Sequence, residues 1–85
     1  MNVRSLAIPD VKLITPRRFE DDRGYFEQTY HQRDYEAAGI EADFVQDNHS
    51  KSSAGVLRGL HYQRQNPQAK LVSVLSGAVF EVAVD

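Results

Sequence analysis

The chain has 85 residues, ten Lys or Arg against twelve Asp or Glu, a formal charge of −2 and no cysteine, which bounds it to one small domain without a disulfide or a thiolate metal site. It lacks the cationic excess that supplies most non-specific affinity for phosphate backbones, so no nucleic-acid partner is expected. The apolar runs are far shorter than the roughly 20 residues of a bilayer-spanning helix, and the opening MNVRSLAIPD holds no hydrophobic signal core, so the expectation is a soluble, cytoplasmic protein with no membrane partner. Period-two apolar alternation predicts strands at Ser5–Ile8, Val11–Thr15 and Tyr25–Tyr30, with Pro9-Asp10 and Asp21-Asp22-Arg23-Gly24 at the joints. A short helix is expected over Gln32–Ala38, with Tyr35 and Ala38 facing inward and Gly39 as its C-terminal stop. Further strands are expected at Asp43–His49, Val56–Gln63, Leu71–Leu75 and Val79–Val84, separated by Ser52-Ser53-Ala54-Gly55, Asn66-Pro67 and Ser76-Gly77. No repeat, low-complexity block or linker divides the chain. The reading is one all-β unit, a β-sandwich or small barrel with one short helix.

The final segment, AVFEVAVD over 78–85, stops with no turn and no polar tail. An apolar strand at that place leaves backbone groups unpaired unless something covers it, so it reads as a chain cut inside a larger domain. The plainer alternative is a natural terminal strand paired on both sides.

The densest polar constellation runs from Gln46 to Lys70. In a strand centred on 45–49, Gln46 and Asn48 share one face while Asp47 and His49 point to the other. Two adjacent amides offer donors and acceptors together, which suits an uncharged, oxygen-rich ligand such as a sugar or base; an exposed polar face is the bland alternative. Asn48-His49-Ser50 is formally a glycosylation sequon, discounted in a chain without a secretory signal.

Arg58 and His61 are three apart in VLRGLHYQ, which strict alternation sends to opposite faces, but Gly59 permits a bulge that turns both inward. An imidazole with an unperturbed pKa of about 6.5 can accept a proton near neutrality. A guanidinium fork suits phosphate or carboxylate, and the ammonium of Lys70 suits a developing oxyanion. A structural histidine and solvated cations are the competing readings. The three histidines, His31, His49 and His61, show no H-x-H or H-x-x-x-H spacing. The glycine-to-histidine spacing of metal-binding cupins is matched by Gly55 and His61, but Gln63 stands where the second histidine belongs and Asn66-Pro67 where the acid belongs. Metal-free chemistry is therefore expected, and no nucleophile elbow, phosphate loop or dinucleotide fingerprint is present.

The strings FVQDNHS (44–50), GVLRGLHYQ (55–63), QAKLV (68–72) and VAVD (82–85), preceded by IPDV (8–11) and DRGYF (22–26), together resemble the dTDP-4-dehydrorhamnose 3,5-epimerase family, in its order and over its N-terminal part. The resemblance implies part of a cupin-type β-sandwich or jelly roll, with residues 1–85 as the N-terminal part of a single domain roughly twice as long, and a homodimer that exchanges N-terminal strands. It implies a dTDP-4-dehydro-6-deoxyhexose substrate and no metal or nucleotide cofactor. His61 matches the family's base, which takes a proton from a carbon beside the C4 ketone. Lys70 matches the lysine beside the C4 oxygen, Arg58 an arginine close to the substrate, and Arg23 one that holds the nucleotide diphosphate. Gln46, Asp47 and Asn48 match the substrate-binding segment.

There are two departures from the family pattern. Its proton-donating tyrosine and the carboxylate orienting the histidine come from a C-terminal half outside these residues. Its D-x-R-G-x-F-x-E signature is also shifted, with Glu27 one place early and Gln28 at the acidic position; an amide there accepts a hydrogen bond but carries no charge. Alternatives on the same scaffold are a keto-sugar 3- or 5-epimerase, a ketoisomerase, or a non-catalytic fragment that binds nucleotide sugar or pairs with another subunit.

Overall fold

A computed structural model describes all 85 residues. Chain order gives four strands and a helix: β1 (Asn2–Ser5), β2 (Lys12–Thr15), β3 (Arg18–Asp21), β4 (Gly24–Glu27) and α1 (Gln32–Ala37). The strands form two separate two-stranded antiparallel sheets, β1 with β2 and β3 with β4. Two small antiparallel sheets and one short helix are consistent with part of a cupin-like all-β fold.

The first hairpin pairs Asn2 with Thr15 and Ser5 with Lys12. Its loop extends the ladder, with the Leu6 N–H donating to the Val11 carbonyl at 2.9 Å and the Val11 N–H to the Ile8 carbonyl at 2.9 Å. Val3 and Ile14 lie opposite each other and are half-buried, the outcome alternation demands when one face of a ribbon turns toward other chain. On the ribbon's edge, Lys12 Nζ donates to Ser5 Oγ at 2.8 Å.

The second hairpin closes on two residues, because Asp21 pairs with Gly24 across Asp22-Arg23. Asp in the first and Gly in the fourth position suit a type I turn. Gly24 sits at φ +130°, a conformation that residues with a Cβ rarely adopt. Phe19 faces Phe26 on one side of the ribbon, and Arg18 faces Glu27 on the other.

Helix α1 shows how local chemistry sets both ends. His31 is the N-cap, its Nδ1 accepting from the Asp34 N–H at 3.4 Å, and Asp34 places negative charge in the first turn, where the helix dipole favours it. At the other end Gly39 lies at φ +88°. The Gly39 N–H donates to the Glu36 carbonyl at 3.0 Å and the Ile40 N–H to the Tyr35 carbonyl at 2.9 Å, the paired bonds of a Schellman stop. The expected helix and its glycine terminator are both present, and Ala38, expected inside, is the half-buried C-cap.

Tyr35 is the one buried residue, 2% exposed. Its hydroxyl donates to the Thr29 carbonyl. Its ring meets Tyr30 edge-on at 4.8 Å between centroids, and Tyr30 in turn meets Phe44 at 5.5 Å. These T-shaped contacts set the positive edge of one ring against the negative face of the next. Desolvation, and secondarily Tyr30, push the Tyr35 phenol above its ordinary pKa.

Several strand expectations are corrected. The first strand lies at Asn2–Ser5 rather than Ser5–Ile8, and β3 occupies Arg18–Asp21, where none was expected. The Arg18–Asp21 stretch, with three charges around one phenylalanine, carries almost no apolar alternation, and its strand is made by the hairpin register. From Asp43 to Asp85 there is no ladder, so Asp43–His49, Val56–Gln63, Leu71–Leu75 and Val79–Val84 run without regular structure. Alternation marks a segment able to pair, but a strand exists only when a neighbouring backbone supplies hydrogen bonds. Here Val45, Leu57 and Phe80 are at least 90% exposed. The Cα radius of gyration, 14.8 Å, exceeds the about 12 Å expected of a compact chain this long. Segment 78–85 is likewise unpaired.

Candidate functional site

An open cleft of about 1490 Å³ lies between the first hairpin, the end of α1 and the segment from His61 to Leu75. Its floor is apolar: Leu13 and Ile14 come from β2, Tyr35 and Ile40 from the helix and its stop, Phe44 from the segment after it. Each has a local cause. The β2 register turns Ile14 toward Val3, and the Schellman bonds fold Ile40 back beside Tyr35. His61 and Lys70 also line it, so the two residues border the same space although they stand nine positions apart in the chain. Both are exposed.

The cleft therefore does not enclose His61 in this structure. The inward turn of both Arg58 and His61 at Gly59 also does not occur. Gly59, at φ +108°, leaves extended geometry, but His61 borders the cleft while Arg58 does not. Arg58 turns back on its own loop, its Nε donating to Ser52 Oγ at 2.9 Å and its Nη2 to the Lys51 carbonyl at 3.4 Å. The physical reason is the missing ladder: two side chains are forced to one face only when the strand carrying them is held by neighbours.

Gln46 and Asn48 lie side by side, Gln46 Nε2 donating to Asn48 Oδ1 at 3.3 Å. Both amides and the intervening Asp47 are exposed and outside the cleft. Each amide keeps polar valences free: Asn48 its NH2, and Gln46 its carbonyl.

Arg23 stands at the tip of the second hairpin with its side chain 90% exposed. Asp21 holds it three ways: Oδ1 accepts the Arg23 backbone N–H at 2.9 Å, and Oδ2 accepts both Nε, at 3.2 Å, and Nη2. The guanidinium bonds and then the backbone bond keep the Asp21 carboxyl below the usual carboxylate range, and the same contact raises Arg23.

Gln28 belongs to a separate, smaller hollow of about 250 Å³ that it shares with Phe19, Phe26, His31 and Asp34. Its Nε2 donates to Asp34 Oδ2 at 3.1 Å, while His31 Nδ1 lies 3.6 Å from Asp34 Oδ1. The eight candidate residues therefore fall into distinct neighbourhoods: His61 with Lys70, Gln46 with Asp47 and Asn48, and Arg23, Gln28 and Arg58 each apart from these.

Sequence reasoning gave two carboxylates no role in a site. Glu27, one place early in the motif, is the acid β4 turns into the cleft, where Arg18 Nε meets its Oε2 at 3.2 Å across the ribbon. That bond is the main cause of the raised Arg18 pKa, and Arg18 also lies 3.8 Å from the centroid of Tyr25. The other is Asp21. Its signal was legible, since an aspartate two residues before an arginine in a turn can accept that arginine's backbone N–H.

The family model described as dTDP-4-dehydrorhamnose 3,5-epimerase matches residues 5–85. A dTDP-4-dehydrorhamnose 3,5-epimerase of Pseudomonas aeruginosa is 58% identical over 86 residues, covering all of this chain and 48% of its own length. Proteins of the same name from Neisseria gonorrhoeae and Escherichia coli are 52% and 53% identical over the whole chain, which spans 26% and 47% of their lengths. The chain thus spans about half the length of most of these relatives, and about a quarter of the Neisseria protein.

Proposed function

Because the chain belongs to the dTDP-4-dehydrorhamnose 3,5-epimerase family, we propose that the protein carrying it inverts C3 and C5 of dTDP-4-dehydro-6-deoxy-D-glucose, giving dTDP-4-dehydro-L-rhamnose for dTDP-L-rhamnose synthesis. The observation that supports this reading is that His61 and Lys70 both line the same cleft. A neutral imidazole can take the proton from a carbon beside a ketone. The electron pair then moves onto the C4 oxygen, and a fixed ammonium favours that enolate over the ketone. Return of a proton to the opposite face of the carbon inverts the centre, and repetition at the second carbon completes the reaction. The chemistry needs no metal or nucleotide cofactor.

Arg23 is assigned to the diphosphate, whose oxygens match a guanidinium fork. Arg58, Gln46, Asp47 and Asn48 are assigned to the nucleotide sugar, and Gln28 to the family's acidic binding position as a neutral hydrogen-bonding group. In this reading residues 1–85 are the N-terminal part of one cupin-type domain, in a cytoplasmic homodimer. Its test is solvent deuterium entering C3 and C5 of the keto sugar, followed in the full-length gene product and in His61→Ala. The expected result is loss of exchange at both carbons, and exchange at the parent rate in the variant eliminates His61 as the base.

A second reading concerns the 85 residues alone: a nucleotide-sugar binder or pairing unit that does not catalyse. The exposure of His61 and the single buried residue favour it, because a base open to water lacks the fixed geometry that proton transfer requires. Calorimetry with dTDP and sedimentation of the 85-residue chain separate binder, dimer and unfolded chain. Exchange at one carbon only would instead identify a 3- or 5-epimerase, and a moved carbonyl a ketoisomerase.

A further inference from the structure

The hairpin tip that carries Arg23 holds a device beyond the arginine itself. Asp21 and Gly24 are the paired residues that close the turn, so Asp21 is fixed by the ladder while Arg23 projects into solvent. Both oxygens of Asp21 are engaged with Arg23, one on its backbone N–H and the other on the Nε and Nη2 edge of its guanidinium. A guanidinium has five N–H donors in one plane. Two of them point at Asp21, and the remaining three, the pair on Nη1 and the second on Nη2, have no protein partner on a side chain that is 90% exposed.

We infer that Asp21 is a positioning residue for anion binding: it holds the Arg23 guanidinium by one edge and presents the other edge, ready oriented, to the diphosphate of the substrate. This rests on the assignment of Arg23 to the diphosphate. Two opposing effects decide its sign. The carboxylate offsets part of the arginine's charge, which weakens attraction for an anion. Against this, an arginine as exposed as Arg23 otherwise loses its rotamer freedom on binding, a cost that falls in advance if a neighbour already orders it. In high dielectric at the surface the charge offset is strongly screened, whereas the ordering cost is not, so orientation outweighs neutralisation. The lowered Asp21 pKa accords with a carboxylate that stays ionised and bonded through the neutral range.

The test is calorimetric titration of the full-length gene product with dTDP, and with thymidine as a ligand of the same base and no phosphate, using Asp21→Ala, Asp21→Asn, Arg23→Ala and the double alanine variant. Asp21→Ala is expected to weaken dTDP about two- to tenfold. Asp21→Asn, which keeps an acceptor for the backbone N–H, is expected to retain part of the affinity. The double variant should bind dTDP no more weakly than Arg23→Ala, since Asp21 acts only through Arg23, and thymidine affinity should stay at the parent value throughout. Parent or tighter dTDP binding by Asp21→Ala, together with weakened binding by Arg23→Ala, overturns the inference and leaves the Arg23 assignment standing. Unchanged dTDP binding by Arg23→Ala removes the assignment and the inference with it. Equal losses for thymidine and dTDP in Asp21→Ala show a structural effect and also overturn it.

Discussion

Removing the hydroxyl or the ring of Tyr35 tests the one place where this chain packs. Tyr35→Phe deletes the donor to the Thr29 carbonyl and leaves the ring in place. A single intramolecular hydrogen bond contributes about 1 kcal/mol net, roughly a fivefold change in an opening equilibrium. Tyr35→Ala also removes the edge-on contact with Tyr30 and the burial of a ring only 2% exposed. Truncating buried aromatics costs about 3–5 kcal/mol, and the lower end applies because the surroundings are half-buried rather than close-packed. The assay is amide hydrogen exchange at Ala38 and Ile40, whose N–H groups donate to the Asp34 and Tyr35 carbonyls at 3.1 and 2.9 Å. Those amides should exchange about fivefold faster in Tyr35→Phe and about a hundredfold or more faster in Tyr35→Ala. Equal rates in parent and Tyr35→Ala would show that α1 does not depend on this ring, and the reasoning would fail.

Gly39→Ala should loosen the end of α1 by about 1–2 kcal/mol through backbone strain alone, because the position lies at φ +88° and a Cβ there meets nothing within 4 Å; faster exchange at Ile40 is the readout, and an unchanged rate refutes it. Arg18→Lys keeps the charge opposite Glu27 but loses the flat cation over Tyr25. The Tyr25 ring should then lose its shift relative to an exposed tyrosine in NMR spectra, while the residual attraction between the new ammonium and Glu27 weakens as salt is added. In an acid titration, the Asp21 contact contributes stability that is fully present above the unfolded carboxylate pKa of about 3.9 and is lost as pH falls through the lower folded value. Arg23 Nε–H should accordingly keep its bonded chemical shift below pH 3.9, and release above that pH contradicts the lowered pKa. Tyr35 runs the other way: its raised folded pKa means stability is intact below the unfolded value of about 10 and falls as pH rises through the folded one, with faster Ile40 exchange in alkali as the check.

The sequence by itself determined what depends on residues near one another in the chain. The helix over 32–37 follows from a polar cap and an acid in the first turn, and its end from a glycine able to take positive φ. The second hairpin's turn follows from Asp21 and Gly24 at the positions a type I turn favours. Family membership was legible for the same reason, since the motif strings at 22–26, 44–50 and 55–63 are contiguous. Tertiary structure alone decided which segments become strands and which side chains meet. Period-two patterns at 43–49, 56–63, 71–75 and 79–84 could not reveal whether a second backbone would lie alongside them, and none does. Nor could spacing show that His61 and Lys70 would border one cleft while Arg58, nearer in sequence to His61, would bond to Ser52 and Lys51. Caps and turns close their hydrogen bonds within a few residues, whereas ladders and pockets need groups far apart in the chain, whose approach is set by the whole fold.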